Sequence, residues 1–253
     1  MRLQKLVLKS IKHDFKLIGR DSFLVMMFSF VIIIALFMRF AIPALNSYLA
    51  EAGLMPGSFY PEPLSNFYPM LVAYMLLFQG ALLSGAIYGF LILDEKEDNT
   101  LLATLVTPVP VNKYLGIRMI IPAAMGAIVV FVEMQFVGLA MPSLFETLVL
   151  SVAGSLSAPI ATLVYANFAE NKLQGFAVAK FVGVAGWIVL IGWFLPQPWQ
   201  WLLAIFPPFL VSKAYWMALE GNGLWIWIVL LGIAAQLAVI NLMLMRFRKT
   251  LIS

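Results

Sequence analysis

Cysteine is missing altogether from the 253 residues, and histidine occurs once, at His13. Disulfides and thiol-ligated metal sites are therefore excluded, and a lone imidazole in a basic amino-terminal segment leaves a metal centre without a ligand set. Charge is scarce as well. Asp, Glu, Lys and Arg make up 11% of the chain, where soluble proteins carry about 25%. No Gly-x-x-x-x-Gly-Lys-Ser/Thr run occurs, so the chain cannot cradle ATP phosphates through such a loop. A serine, histidine and carboxylate constellation is absent, as are paired carboxylates of the general acid and base kind. The polar stretches between apolar runs are too short for a soluble catalytic domain, so the sequence does not read as an enzyme. It shows no internal repeat.

Apolar residues, in contrast, make up 63% of the chain, and the mean hydropathy is +0.97. This is the composition of an all-α polytopic membrane protein built as one transmembrane domain over residues 1–253. The net charge of +4 does not point to nucleic acid, because the basic residues cluster beside apolar runs, as membrane topology requires.

Residues 1–21 place Arg2, Lys5, Lys9, Lys12, Lys16 and Arg20 at spacings of three or four, with Leu3, Val7, Ile11, Phe15 and Ile18 opposite. That is an amphipathic helix in the headgroup layer. A secretory signal fits less well, since the following apolar run is too long and no small-x-small cleavage site follows.

Six spans are expected, at 22–42, 69–93, 115–140, 146–169, a fifth with its apolar body at 181–195, and 224–245; the first is long enough for about 30 Å of hydrocarbon at 1.5 Å per residue. Arg39 lies near the far end of the first and reads as a snorkelling side chain. Residues 43–68, with four prolines and three tyrosines, form an external loop. In the second span Gly85 and Gly89 have small-xxx-small spacing, so another helix can approach closely. Gln79 lies on or near that face. Glu133 lies deep in the third span, where an ionisable group costs about 2.5–3.5 kcal/mol. A polar cavity, a structural hydrogen bond and a position nearer the outer interface all remain open for it. Residues 196–220, with Pro196, Pro198, Pro207 and Pro208 among Trp199, Trp201, Phe206 and Phe209, suit short re-entrant or interfacial outer helices.

Fourteen of the sixteen Lys and Arg residues fall on one side of this layout, with Arg39 and Lys213 on the other. The positive-inside rule puts both termini and the loop after the second span in the cytoplasm. The protein is thus expected in the cytoplasmic, inner membrane of a prokaryote.

That loop is the one stretch neither lipid-facing nor tail. Asp94, Glu95, Lys96, Glu97 and Asp98 interrupt the apolar middle. Asn99 or Thr100 can cap a following helix, Leu101, Leu102, Leu105 and Val106 recur at one-turn spacing, and Pro108 ends it. Pro110 then starts the next span. Such an exposed apolar face needs a partner to cover it, or it rests on lipid headgroups.

Here a resemblance enters. Glu97, Asp98, Thr100, Leu101, Leu102, Pro108, Tyr114 and Leu115 are similar to the first cytoplasmic loop of type 2 ABC exporter permeases, which holds the coupling helix; residues 94–114 are accordingly the expected coupling loop. The family often has Gly where this chain has Asn99, and a second acidic residue where it has Leu102 and Ala103. The resemblance implies a permease subunit that works with two copies of an ABC ATPase subunit and a second permease, identical or paralogous, in membrane lipid. ATP and Mg would be held by the ATPase, and no cofactor by this chain. It further implies coupling through Asp94, Glu97, Asp98, Thr100, Leu101, Leu105, Pro108 and Tyr114. Gln79, Glu133 and Asn167 are the residues set down for a cargo cavity. An amphipathic or lipid-like cargo is expected, whether drug, lipid or glycan, with drug efflux implied by the compact size. Two other readings stand beside this one. A secondary transporter would use Glu133 for its coupling ion, and a non-transporting assembly subunit would use the loop only for docking.

Overall fold

A computed structural model describes residues 12, 14–51, 64–101 and 111–252 of the chain. Among these residues there are helices and turns but no strand, and six helices are long and apolar enough to cross a membrane.

The first, α1, runs over Ser22–Glu51. Asp21 caps it, its carboxylate accepting from the Phe23 and Leu24 amides and so satisfying donors that the first turn leaves open. The helix does not stop at the expected boundary near residue 42. A wide π turn at Phe37–Ala41, in which the Ile42 amide reaches back to the Phe37 carbonyl, precedes Pro43. It absorbs the missing N–H and the ring clash that would break a regular helix. The presumed external loop therefore loses residues 43–51 to α1, and positions 52–63 lie outside the described residues.

The second helix, α2 (Leu64–Glu97), likewise exceeds its expected ends. It starts with a 3₁₀ turn at Leu64–Phe67, contains a π turn at Ala73–Phe78 and continues regularly over Gln79–Glu97. Asp94–Glu97 thus form its last turn rather than a loop. The remaining spans are α3 (Val111–Val137), α4 (Leu144–Phe168, with a turn at Leu156), α5 (Lys172–Phe194, with a turn at Gly186) and α7 (Trp225–Ile252). Ser143 and Glu146 start α4 through a reciprocal capping box. Because α5 begins at Lys172, Gly175 and Lys180 are helical rather than preceding the span.

Between α5 and α7 the chain makes a short turn at Gln197–Gln200, a 3₁₀ turn at Trp201–Ile205 and the helix α6 (Pro207–Leu219). Residues 208–218 of α6 are all buried. Tyr215 donates to the Ala140 carbonyl at 2.7 Å and Trp216 to the Pro69 carbonyl at 3.1 Å. Those bonds fix α6 at the end of the bundle where α2 begins and α3 finishes, here termed the far end.

The bundle is organised around α2, whose apolar window is 83% buried, whereas those of α1, α5 and α7 are 28%, 28% and 22% buried. The reason lies in its glycines. A Cβ at Gly85 would meet the Ala158 backbone, and one at Gly89 the Tyr165 ring, so α2 and α4 touch almost backbone to backbone. Thr162 closes the contact by donating to the Gly85 carbonyl at 2.9 Å. Gln236 joins α7 to α4, accepting from Ser157 at 3.1 Å and donating to the Ala153 carbonyl at 3.0 Å. All of these groups are buried, where an unmade hydrogen bond is costly.

Candidate coupling site

Four consecutive side chains at the end of α2 fan out in three directions, because each residue turns the helix by about 100° and Asp94 and Glu97, three apart, share a face. Asp94 accepts from Lys172 Nζ at 2.7 Å. Glu95 takes the Tyr114 hydroxyl at 2.8 Å and forms an ion pair with Arg118. Lys96 donates at 2.8 Å to each of the Ala166 and Ala169 carbonyls, which end α4, and meets Glu170 at 3.4 Å. Glu97 accepts the backbone amide of Lys172 at 2.7 Å, the first of α5. A cation thus sits on the carbonyl end of α4 and an anion on the amide end of α5, each on the favourable pole of its helix.

Two further carboxylates complete the cluster from the amino-terminal side. Arg118 Nη1 donates to Asp14 at 3.2 Å, and Lys172 Nζ to Asp21 at 2.8 Å. Arg118 and Asp14 are nearly dry, with side chains 8% and 2% exposed. The Lys172 and Asp21 pair is open to water at 32% and 26%. The hydrogen bond from Lys172 is the chief reason that the Asp21 carboxyl titrates below its usual 3.8, against the opposing effect of its partial burial. The end of α7 joins through rings. The Arg246 guanidinium lies 4.4 Å from the Phe168 centroid and Lys96 Nζ lies 5.9 Å from that of Phe247.

From this hub the chain leaves for the loop. Asn99 has φ of 55°, the left-handed conformation that closes a helix and that Gly, then Asn, adopts most readily. The position where the resembling family often has Gly therefore needs a residue that tolerates positive φ. Asn99 closes α2, helix resumes at Thr100, and Thr100 turns its hydroxyl back to the Glu95 carbonyl at 3.3 Å. Leu101 is 3% exposed and lies in an apolar cluster with Ile92, Leu115, Met119, Leu163 and Phe247. It belongs to the interior of this chain, not to an open face. Leu105 and Pro108 lie outside the described residues. Asp98 is exposed.

The three candidate cavity residues do not form one cluster. Gln79 donates to the Tyr74 hydroxyl at 3.1 Å across the π turn of α2. Asn167, at the charged end of α4, donates to the Leu163 and Met243 carbonyls at 2.8 and 3.2 Å, linking α4 to α7. Glu133 lies one turn from the far end of α3, buried at 4% exposure, against Gly80 of α2. Gly80 follows Gln79 directly, yet the Gln79 amide points elsewhere.

Arg118, Glu95, Asp14, Asp21 and Lys172 carry most of the cluster, and none was singled out as a site from sequence. Tyr114 and Arg118 are one turn apart, a visible pairing on α3. Their partner Asp14 is about a hundred positions away, and no local signal reveals it.

With this arrangement in view, comparison with known proteins is informative. Residues 14–244 match the family described as Rv2686c-like, Fluoroquinolones export permease protein Rv2686c-like. Two relatives, the Fluoroquinolones export permease proteins MT2760 and Rv2686c of Mycobacterium tuberculosis strains CDC 1551 and H37Rv, are each 30% identical over 241 residues, 94% of this chain and 92% of theirs. The chain belongs to this family of export permeases. It is a multi-pass membrane protein of the drug-efflux kind, without a catalytic role of its own in the family name. No solved structure matches it.

Proposed function

We propose that this permease is the membrane subunit of an ATP-driven exporter of amphipathic, drug-like molecules. Its M. tuberculosis relatives are named for fluoroquinolones, and this chain is assigned cargo of that general kind. Two ATPase subunits, holding ATP and Mg, would dock from the cytoplasm on the loop that includes Leu105 and Pro108, and a second permease, identical or paralogous, would complete the path.

The observation that carries the reading is the root of that loop. It leaves α2 at Asn99 and ends where α3 begins, and Glu95 of α2 holds Tyr114 and Arg118 of α3 across its root. Neighbouring bonds tie the last turn of α2 to α4 and α5, and Arg118 to Asp14. A force on the loop therefore reaches several helices together. A nucleotide-dependent contact shifts the permease between states only by binding them unequally, and such a root gives that difference a direct route into the bundle.

The test is reconstitution with a candidate ABC ATPase subunit, measuring hydrolysis and ATP-dependent efflux for wild type and Leu105→Asp. The mutant is expected to fold, to bind the ATPase weakly and to lose at least about tenfold of coupled efflux, equivalent to about 1.4 kcal/mol. Leu101→Asp serves as a contrast, since it places a charge in the core and is expected to fail at folding. Efflux that continues without ATPase and collapses with the proton gradient would overturn the proposal in favour of a secondary carrier.

A further inference from the structure

Glu133 is the feature that neither the fold nor the coupling cluster uses. Both of its carboxylate oxygens are buried and have no hydrogen-bond partner among the described residues. The nearby cation of α1, Arg39, is engaged elsewhere. It donates to the Phe136 carbonyl and lies 5.7 and 5.1 Å from the Phe40 and Phe136 ring centroids. Facing the carboxylate is Gly80, where a Cβ would collide with Glu133 Oε2. The absence of a side chain on α2 is therefore what makes room for the group. The walls on either side are apolar. Val130 and Met134 flank it on α3, Leu77 and Ala81 flank Gly80 on α2, and all four are buried in one core.

A buried carboxyl with no hydrogen-bond partner is normally eliminated, because an apolar side chain of similar size avoids the cost. Its presence calls for a ligand that brings the donor. A hard metal ion does not fit, since such ions need six or more oxygens. Among the described residues no group of three potential metal ligands exists. One carboxylate within apolar and methionine walls is instead the donor set for a protonated amine carried on an apolar body, where charge and N–H meet the carboxylate and the remainder meets flexible side chains.

We propose that Glu133, in the space left by Gly80, is the acceptor for the ammonium group of a cationic amphiphile, and that it sets a preference for amine-bearing cargo. This deepens the export reading above and rests on it for the word cargo. The binding site itself can be tested without any ATPase.

The probe pair is dansylcadaverine, which carries a free amine, and its N-acetylated form, in which an acetyl cap removes that charge. Binding to the purified full-length permease in detergent is followed by dansyl fluorescence. Wild type is expected to bind the amine at least about tenfold more tightly than the acetylated probe. Glu133→Gln, nearly isosteric, is expected to abolish the difference while keeping the elution profile and helicity of wild type. Gly80→Ala is expected to do the same by filling the gap from the opposite helix, and Glu133→Asp to retain part of the preference. Equal binding of the two probes to wild type, no binding of either, or an undiminished preference in Glu133→Gln would each overturn the proposal. An amine preference that depends on Glu133, in a protein showing no ATP-dependent efflux with its ATPase, would leave this site standing and remove the export reading instead.

Discussion

The two ends of the bundle hold their cations in different ways. At the charged end Arg118 and Lys172 each meet two carboxylates, Asp14 with Glu95 and Asp21 with Asp94. At the far end Lys213 is buried to 3% exposure yet is held by two neutral amides, Gln197 at 2.9 Å and Gln200 at 2.6 Å. Arg39 is held by a carbonyl and two rings. Burial alone lowers the affinity of Lys213 for its proton, and the charge of Glu220 opposes this only in part. Opposite charges attract over longer distances than dipoles and rings, so the charged end resists separation of its helices, whereas the far end is held by short, directional contacts. The stiffer fastening thus lies at the root of the loop proposed above as the docking site of an ATPase.

The sharpest way to break the comparison is Arg118→Ala. It removes the guanidinium that Asp14 and Glu95 share, and loss of one partner from a buried ionic cluster costs about 3–5 kcal/mol. A large fall in thermal stability in detergent is the expected result, and an unchanged melting temperature would mean that the cluster holds nothing together. Lys213→Met is expected to matter less. It leaves no carboxylate alone, and the loss of two charge-assisted hydrogen bonds worth about 1.5–3 kcal/mol each is offset by removing the cost of a buried charge. Should it destabilise the protein as much as Arg118→Ala, the contrast between the ends would be lost.

The smallest effect sharpens the contrast through pH. Asp21 has a folded pKa below its ordinary 3.8. Its contribution to stability is therefore complete well above that value and disappears as pH falls through the lower folded value. Asn caps a helix about as well as Asp, so Asp21→Asn removes the charge and keeps the cap. Wild type is expected to exceed this variant by less than about 1 kcal/mol at neutral pH, because the pair is partly solvated. The gap should narrow as melting curves are taken to acid. A gap that widens in acid would reverse the assignment.

The number of spans was legible because each is a long apolar run, and Gly85 and Gly89 announced the closest helix contact. Helix ends were less legible. Pro43 reads as a stop in any local view, and only the π turn before it lets α1 continue to Glu51. Asp94–Glu97 read as a polar loop for the same reason, since charged residues close a span when their partners are unknown. Those partners lie on α3, α4, α5 and the amino-terminal segment, up to 81 positions away in the case of Asp14 and Glu95, which meet through Arg118. Leu101 shows the same limit within one turn. Its spacing marks an apolar face, but only packing reveals that the chain covers it.

The burial of α2 also bears on how the protein is made. Its apolar window ends 83% buried, yet α2 leaves the ribosome second, before α3 and α4 exist to enclose it. Its glycine face and the last-turn charges from Asp94 to Glu97 must wait in lipid or in the insertion machinery with α1 as their only finished neighbour. The helix most enclosed in the mature permease is thus among the most exposed during biogenesis. Final assembly must wait until α4 has been synthesised and its Ala158 and Tyr165 can close over Gly85 and Gly89.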